Sequence, residues 1–195
     1  MGRPRATSDE QILAATERAI GALGLPKLTL AVVAGEAGVS PATLVQRFGS
    51  KRGLLLAFAA QAAGGLDEAF ATVRREHASP LEALHAVLGE LSAGMRTREE
   101  IANHLGALQL DLTDPEFHAH AATHAHRMDE LLAGLLADAV AAGELRPGTE
   151  VARLARTVQV VHNGTLVMWA ITGGEDLPAR LRGELDDLLD NHRMG

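Results

Sequence analysis

Apolar residues recur at spacings of three and four along most of the chain, which is the spacing of one face of an α-helix. The first such run contains Ile12, Ala15 and Ala19. Ser8 and Gln11 before it fit a capping box, and Gly24 after it is typical of a helix end. Runs of β-branched residues with a period of two are absent from the sequence. The pattern therefore predicts an all-α protein of about nine helices.

The stretch Thr29–Phe58 predicts two short helices joined by a tight turn. Gly38 can adopt the left-handed conformation that ends the first helix, and Pro41 suits the first position of the second helix. The second helix buries Leu44 and Phe48 and turns other side chains outward: Ala42, Thr43, Gln46 and Arg47. A helix with so little to bury fits the recognition helix of a helix-turn-helix, which lies in the major groove of DNA. The alternative is an αα-corner inside an all-helical core.

Capping residues and prolines predict the later helices. Their predicted starts are Ser50, Pro80, Thr97, Pro115, Thr149 and Pro178. The helix from Ser50 contains Gly64 and Gly65, which we expect to bend it rather than divide it. The first three helices, within residues 1–48, form a tri-helical unit, and the helix from residue 50 connects this unit to the rest of the chain.

The composition excludes several classes of protein. The sequence contains no Cys, so disulfides and thiolate metal sites are excluded. It has no apolar run as long as about 18 residues, and no apolar stretch of a signal peptide follows the two N-terminal arginines. These features predict a cytoplasmic protein that does not enter the membrane.

The formal net charge of −7 is unusual for a DNA-binding protein, but the charge is unevenly distributed. Residues 1–52 carry a net +3 and residues 53–195 a net −10. Phosphate contact depends on the local field, so the distribution predicts a molecule with one end at the DNA. The arm Met1–Thr7 contains Arg3 and Arg5, which suit contact with phosphate or the minor groove. The alternative is a terminus without a role.

The helix-turn-helix stretch resembles the DNA-binding signature of the TetR-type (tetracycline-repressor-like) family of bacterial transcriptional regulators. The signature is T-[VL]-x-x-[IV]-A-x-x-A-G-V-S-x-x-T-[LI]-Y-x-[HR]-F-x-[SN]-K-x-x-L. It is matched by Thr29, Leu30, Val33, Ala34, Ala37, Gly38, Val39, Ser40, Thr43, Leu44, Arg47, Phe48, Ser50, Lys51 and Leu54. Beyond this stretch, the turn Ala141–Pro147 (AAGELRP) is similar to one between late helices of the family.

The resemblance implies roles for individual DNA-binding residues. Thr29 and Ser40 would be helix caps near phosphate, and Arg47 and Lys51 would bind phosphate. The residues that would face the groove are Pro41, Ala42, Thr43 and Gln46, with Gln46 able to pair with adenine. Val45 stands where the family usually has a phosphate-bonding Tyr, so it can offer only apolar contact, for example to a thymine methyl group. Gly35 inside the first of the two helices is also unusual and costs about 1 kcal/mol relative to Ala.

A single recognition helix makes few contacts, so we expect a homodimer that reads two half-sites of a palindromic operator. The last two helices carry apolar stripes that predict a four-helix dimer interface, whose candidates are Val158, Val161, Thr165, Leu181, Leu185 and Leu188. The alternative is that these stripes belong to the core. Residues 49–195 would thus form a ligand-binding and dimerisation domain after the helix-turn-helix domain of residues 1–48.

We expect the middle helices to enclose a pocket for a small, largely apolar effector. The family resemblance implies a repressor that this effector releases from DNA. The candidate pocket residues are Phe70, Leu91, Met95, His104, Leu108, Phe117, Met128, His162, Asn163 and Trp169. Each of them also fits an ordinary core or interface position. His162 and Asn163 are the polar pair within an otherwise apolar helix.

Four histidines lie between residues 118 and 126. On a helix, Glu116, His120 and His124 share a face, whereas His118 and His126 point elsewhere, so a polar helix face is favoured over a metal site. No nucleophile and base occur in a recognisable arrangement, and no phosphate-binding glycine loop is present. We therefore expect neither an enzyme nor a cofactor. A second hypothesis is a helical small-molecule or metal sensor whose DNA-binding head is degenerate, because Val45 replaces the expected Tyr.

Overall fold

The computed structural model describes residues 7–174 and 176–194, except for the side chain of Ala63. Within these ranges the chain forms ten α-helices and one isolated β-bridge, between Leu145 and Arg193. The helices are α1 (Asp9–Leu23), α2 (Leu30–Ala37), α3 (Pro41–Phe48), α4 (Lys51–Glu76), α5 (Pro80–Leu91), α6 (Arg98–Leu105), α7 (Leu108–Thr113), α8 (Pro115–Ala141), α9 (Val151–Thr172) and α10 (Leu177–Asp190). The predicted all-α fold is confirmed.

Local capping signals set many helix ends. The hydroxyl of Ser8 accepts a hydrogen bond from the backbone of Gln11, and the Gln11 side chain accepts one from the backbone N–H of Ser8, which completes the predicted capping box. The hydroxyl of Ser79 accepts a hydrogen bond from the backbone of Glu82 and so caps α5, with Pro80 in its first turn. Helix α4 runs without a break through Gly64 and Gly65, so these glycines do not divide it, as the sequence predicted.

The single helix predicted to start at Thr97 is instead two helices. Helix α6 ends at Leu105, and α7 begins at Leu108. The intervening residue Gly106 still donates to the carbonyl of Ala102, but Ala107 donates to His104, three residues back, which tightens the turn. The sequence count of about nine helices differs from the observed ten for this reason.

The chain divides into two compact units, each of which is built from two separate segments of the sequence. The first comprises the residues up to Ala63 together with Ala102–Ala121, and the second comprises Gly64–Ile101 and the residues from Ala122. The three short helices of the first unit share a core with Leu54 of α4 and Phe117 of α8. Three helices of this length cannot bury enough apolar surface alone, so later segments complete the core.

The second unit has a larger core built from five helices and the turn at Leu145. Its members include Phe70, which is fully buried and contributes about 1.5–3 kcal/mol by burial. The turn that contains Leu145 is tied to the C-terminus because the N–H of Arg146 donates to the carbonyl of His192 at 2.8 Å. A smaller cluster joins α6, α9 and α10 through Ile101, Leu166, Leu177 and Leu181.

Candidate nucleic-acid interface

The helix-turn-helix of the first unit is formed by α2 and α3. Gly38 takes the left-handed conformation, with φ 68° and ψ 31°, and ends α2 as predicted. The hydroxyl of Ser40 then accepts a hydrogen bond from the backbone of Thr43 at 3.1 Å, and Pro41 occupies the first turn of α3. The cap of α2 is Thr29, whose hydroxyl accepts from Val32. The turn therefore fixes the orientation of α3 from local chemistry alone.

Helix α3 buries one face and exposes the other. Leu44 is fully buried in the core of the first unit, and Phe48 packs partly against the same core. The opposite face carries three exposed members of the predicted groove-facing set, Pro41, Ala42 and Gln46, together with the exposed Val45. The side chain of Val45 is 50% exposed, which makes it one of the large apolar side chains that this chain leaves in contact with solvent. The structure thus brings the predicted groove-facing residues together on one solvent-exposed surface.

Thr43 differs from the other members of the predicted groove-facing set. It is half-buried, and its hydroxyl lies 2.9 Å from the hydroxyl of Ser40. Its hydrogen-bonding capacity is therefore partly used at the cap, which makes Gln46 the polar side chain of α3 best placed for a base edge.

The two predicted phosphate-binding cations make contacts within the protein. Arg47 donates from Nη1 to the carbonyl oxygen of Thr7 at 2.6 Å and pairs with the carboxylate of Asp9 at 3.2 Å. The ammonium of Lys51 donates to the carbonyl oxygen of Leu25 at 2.8 Å. Both groups hold the first unit together, so their role is at least partly structural. Arg3 and Arg5, predicted to form a basic arm, lie outside the described residues.

Arg52 was counted among the cations of the basic end but is held by carboxylates. Its Nη2 donates to both oxygens of Asp114 at 2.9 and 3.0 Å, its Nη1 pairs with Glu116 at 2.5 Å, and its guanidinium lies 5.6 Å from the ring centre of Phe117. The hydrogen bond from Arg52 lowers the pKa of Asp114 below its ordinary value. Arg52 therefore connects the start of α4 to the start of α8 within the first unit.

Lys27 was not singled out in the sequence. It is exposed in the turn between α1 and α2, two residues before the cap Thr29, and it forms no ion pair among the described residues. It is thus the cation of this turn with most freedom to meet phosphate. A lysine in a turn beside a helix cap is the signal that could have identified it.

Gly53 was also missed, and its importance is steric. A Cβ added at this position would overlap the backbone carbonyl oxygen of Phe48. The backbone N–H of Gly53 donates to the hydroxyl of Ser50 at 3.0 Å, so Ser50 caps α4 immediately after α3 ends. The close approach of the two helix ends therefore depends on a residue without a side chain.

The predicted pocket residues do not form one set. His104, Leu108 and Phe117 belong to the first unit, where Phe117 is core and Leu108 is 48% exposed. The His104 ring lies against Gly21 of α1, since its Cε1 is 3.0 Å from the place of an added Cβ.

The other predicted pocket residues belong to the second unit. Phe70 and Met128 are buried in its main core, Leu91 packs against that core, and Asn163 is exposed. Met95 and Trp169 each pack against the smaller cluster. The prediction therefore mixed core positions with two residues that line a cleft, described below.

His162 is buried, at 7% exposure, and faces Ser92. The Ser92 hydroxyl donates to the carbonyl of Leu88 at 2.8 Å, so its oxygen accepts from the Nε2–H of His162 at 3.1 Å. The other ring nitrogen, Nδ1, is then an acceptor without a hydrogen-bond partner. Burial lowers the pKa of His162 to about 4.

The protomer itself buries most of the predicted dimer-interface residues. Val158 and Leu185 are in the main core, Leu181 is in the smaller cluster, and Thr165 is 7% exposed. The remaining two, Val161 and Leu188, pack against the main core. These side chains pack within their own chain, which leaves less apolar surface for a partner than the sequence suggested. The apolar side chains that α9 exposes are instead Val160, Met168 and Ile171, at 69%, 49% and 66%.

The histidine-rich part of α8 shows local hydrogen bonding. Nδ1 of His118 lies 3.0 Å from the carbonyl oxygen of Asp111. Across the described residues, no three His, Cys, Asp or Glu side chains lie close enough together to hold one metal ion.

One described helix, α4, is long and apolar enough to cross a membrane by length and composition, with a mean hydropathy of 1.2 in its most apolar window. Core helices of proteins outside the membrane meet the same criterion. Leu54, Leu66 and Phe70 of α4 are buried in the cores of the two units, so these apolar side chains already have partners within the chain.

Three solved structures show the same fold. A TetR transcription regulator from Haloarcula marismortui ATCC 43049 is 18% identical, with 95% of this chain and 98% of that chain covered and a TM-score of 0.75. The Thermus thermophilus FadR, a TetR-family transcriptional repressor in complex with lauroyl-CoA, is 25% identical, with 96% of each chain covered and a TM-score of 0.59. The Bacillus subtilis regulator FadR in complex with stearoyl-CoA is 22% identical, with 93% and 97% covered and a TM-score of 0.66. No curated protein matches the sequence.

Two family models match the chain and together span most of it. The model of bacterial regulatory proteins of the tetR family matches residues 12–58, which contain α2 and α3. The model of the tetracyclin repressor-like C-terminal domain matches residues 80–185. The resemblance seen in the sequence is confirmed, and the chain belongs to the tetR family of bacterial regulatory proteins.

Proposed function

We propose that this protein is a cytoplasmic, non-enzymatic transcriptional repressor that binds a palindromic operator as a homodimer and leaves it when a small, largely apolar effector binds. The observation that carries this proposal is the exposed face of α3, where Val45 and Gln46 are held outward by a capped and fully packed helix-turn-helix. Because the backbone of α3 is already ordered by these contacts, its entry into a major groove costs little additional conformational entropy of the backbone.

Base recognition is assigned to two adjacent residues of α3. The amide of Gln46 can donate to and accept from one adenine, and Val45 can pack on a thymine methyl group. Positioning on the backbone is assigned to the helix caps at Thr29 and Ser40 and to the ammonium of Lys27. Arg47 and Lys51 add positive potential, although their contacts with Thr7 and Leu25 limit how far they can reach.

The dimer is proposed to form on the exposed face of α9. Val160, Gly164, Met168 and Ile171 recur at spacings of three and four, so they share one side of the helix. Three of them are large apolar side chains at 49–69% exposure, and an added Cβ at Gly164 would meet nothing within 4 Å, which lets a second helix approach closely. A dimer would provide two recognition helices, as needed to read two half-sites about 34–36 Å apart, or a multiple of this distance.

The effector is proposed to be mainly apolar. The two FadR structures similar to this chain hold lauroyl-CoA and stearoyl-CoA, which supports an effector with a hydrocarbon part. Such a ligand lowers DNA affinity if it binds better to a conformation whose recognition helices do not match the groove spacing.

The test measures binding of the purified protein to DNA from upstream of its own gene and to random DNA at physiological salt. We expect a clear preference for the upstream DNA, and we expect Gln46→Ala to reduce that preference by about 1–3 kcal/mol. Gln61→Ala, at an exposed glutamine of α4, is the matched control and should bind as the wild type does. Equal affinity of the wild type for both DNAs would contradict the proposal.

A second candidate is a helical small-molecule sensor whose DNA-binding head no longer functions. It is favoured by Val45, which cannot donate to phosphate, and by the internal contacts of Arg47 and Lys51. This candidate predicts that DNA affinity and its salt dependence do not change when Lys27 is replaced by Ala, whereas the repressor predicts weaker binding and a smaller salt slope.

A further inference from the structure

A cleft of about 570 Å³ lies within the second unit between α5 and α10, and the turn after α5 and Trp169 of α9 also line it. Its walls combine large apolar side chains with a few polar groups. The apolar lining comes from Leu88, Met95, Trp169, Leu177, Leu181 and Leu185. This volume and this mixture are typical of sites that hold small organic molecules, which occupy about 300–1,000 Å³.

Gly89 lies on the wall of this cleft, in the interior of α5. A glycine there costs about 1 kcal/mol relative to alanine. Packing does not require it, because an added Cβ would meet no atom within 4 Å. The missing side chain instead leaves the α5 backbone open to whatever occupies the cleft.

His85 provides a buried polar group at the cleft. Its side chain is only 5% exposed, and its Nε2 lies 3.3 Å from the carboxylate of Asp186 without the alignment of a hydrogen bond, so this nitrogen has no hydrogen-bond partner. Burial also lowers the pKa of His85, which keeps the ring neutral at pH 7. A buried polar atom without a partner costs about 1–3 kcal/mol, which a polar group of a bound molecule can recover.

The charges around the cleft do not favour an ion. Arg182 is neutralised by Glu82 at 2.6 Å, which leaves Arg96 and Asp176 as one cation and one anion of the lining. These two charges offset one another. An ionised group of a ligand placed against the leucines that line the cleft would lose its hydration without gaining a partner of opposite charge.

We propose that this cleft binds a small uncharged molecule with an apolar body and one hydroxyl or carbonyl group. The body packs on the leucines of α5 and α10 and against the α5 backbone at Gly89, and the polar group hydrogen-bonds to the imidazole of His85. Regulation of DNA binding by this molecule rests on the proposed function, whereas the binding itself can be measured without DNA.

Trp169 gives a direct readout, because it lines the cleft and is the only tryptophan in a sequence without tyrosine. The full-length protein is titrated with 1-decanol, decanoate and decyltrimethylammonium, and tryptophan fluorescence is recorded. We expect a saturable change with 1-decanol and at least about tenfold weaker binding of both charged probes, which corresponds to about 1.4 kcal/mol or more.

Gly89→Phe fills the cleft and should weaken 1-decanol binding at least about tenfold. Gly65→Phe is the matched control, since Gly65 also lies inside a helix with nothing within 4 Å of an added Cβ but is not part of the cleft; it should bind 1-decanol normally. Circular dichroism checks the folding of both variants. If Gly89→Phe misfolds, Ala93→Phe fills the cleft from its exposed wall and should have the same effect.

The absence of a saturable signal with 1-decanol, or wild-type affinity in the folded cleft-filling variant, would overturn the site. Equal affinity for the charged probes would overturn the ligand class. The outcome for DNA is separate. A protein that binds 1-decanol through the cleft but shows no preference for its upstream DNA would support the proposed ligand site and contradict the proposed repressor function. A protein that binds its upstream DNA specifically but does not bind 1-decanol would contradict the proposed ligand site.

Discussion

The ammonium of Lys51, at the first position of α4, donates a 2.8 Å hydrogen bond to the carbonyl oxygen of Leu25, in the turn between α1 and α2. This bond joins the two ends of the helix-turn-helix by a residue that the family signature associates with phosphate. A partly buried carbonyl that loses this partner is left without a hydrogen bond, so Lys51 contributes to the fold as well as to the local positive potential.

Lys51→Met should therefore lower the free energy of unfolding by about 1 kcal/mol and also weaken DNA binding. Lys27→Met removes an exposed cation nearby, so it should weaken DNA binding but change the stability by less than about 0.5 kcal/mol. Urea unfolding and DNA titrations at several salt concentrations measure the two effects. Equal stability losses in both variants would contradict the structural role of Lys51.

Gly53→Ala should destabilise the protein by more than about 2 kcal/mol, because the new methyl group would overlap the carbonyl oxygen of Phe48, which is backbone and cannot rotate away. Gly65→Ala in the same helix should instead stabilise it by about 0.5–1 kcal/mol, since its added Cβ meets nothing and alanine has the higher helix propensity. Thermal unfolding of the two variants distinguishes the signs. A neutral Gly53→Ala would show that α3 and α4 can move apart at no cost.

The sequence was sufficient for features that are decided within one helical turn. The caps at Ser8, Thr29 and Ser40 follow from side chains that accept a hydrogen bond from the backbone three residues later. The left-handed conformation of Gly38 follows from the absence of a side chain at the end of α2. The outward face of α3 followed in the same way, because Leu44 and Phe48 share one side of a short helix. Local chemistry therefore located the candidate DNA-binding surface.

Contacts between distant residues could not be derived in this way. Nothing near Arg52 in sequence indicates Asp114, and nothing near Gly53 indicates how closely Phe48 approaches. Apolar spacing also cannot say what covers a helix face, so Leu181 and Leu185 fitted a dimer interface as well as a core. Their burial depends on how α10 packs against other helices, which is a property of the tertiary structure.

His162 should make stability depend on pH. Its pKa in the folded state is lowered by burial to about 4, whereas an unfolded histidine titrates near about 6.5. Between these values the unfolded state binds the additional proton, so stability is fully present above about pH 6.5 and falls as the pH decreases toward 4, by up to about 3 kcal/mol. Chemical unfolding at pH 7.5 and at pH 5 measures this loss.

His162→Gln should reduce that pH dependence, although it also changes packing at both pH values, and the remainder should include the contribution of the buried His85, whose pKa is also lowered by burial. His126→Gln removes an exposed imidazole from α8 and serves as the control for the loss of a histidine. If both variants changed the pH dependence equally, His162 would not be its source.

Val160→Glu should prevent the proposed dimer from forming, because Val160 is 69% exposed on the apolar face of α9, and a carboxylate buried in that interface would have no partner. Leu112→Glu is the matched control: Leu112 is 68% exposed on α7, so the substitution introduces the same charge at an equally open apolar position outside the proposed interface. Sedimentation equilibrium should give a monomer for Val160→Glu and a dimer for Leu112→Glu and the wild type. A Val160→Glu protein that stays dimeric would place the interface elsewhere. The expected monomeric variant should keep the helicity of the wild type, since Val160 takes no part in the core of its own chain.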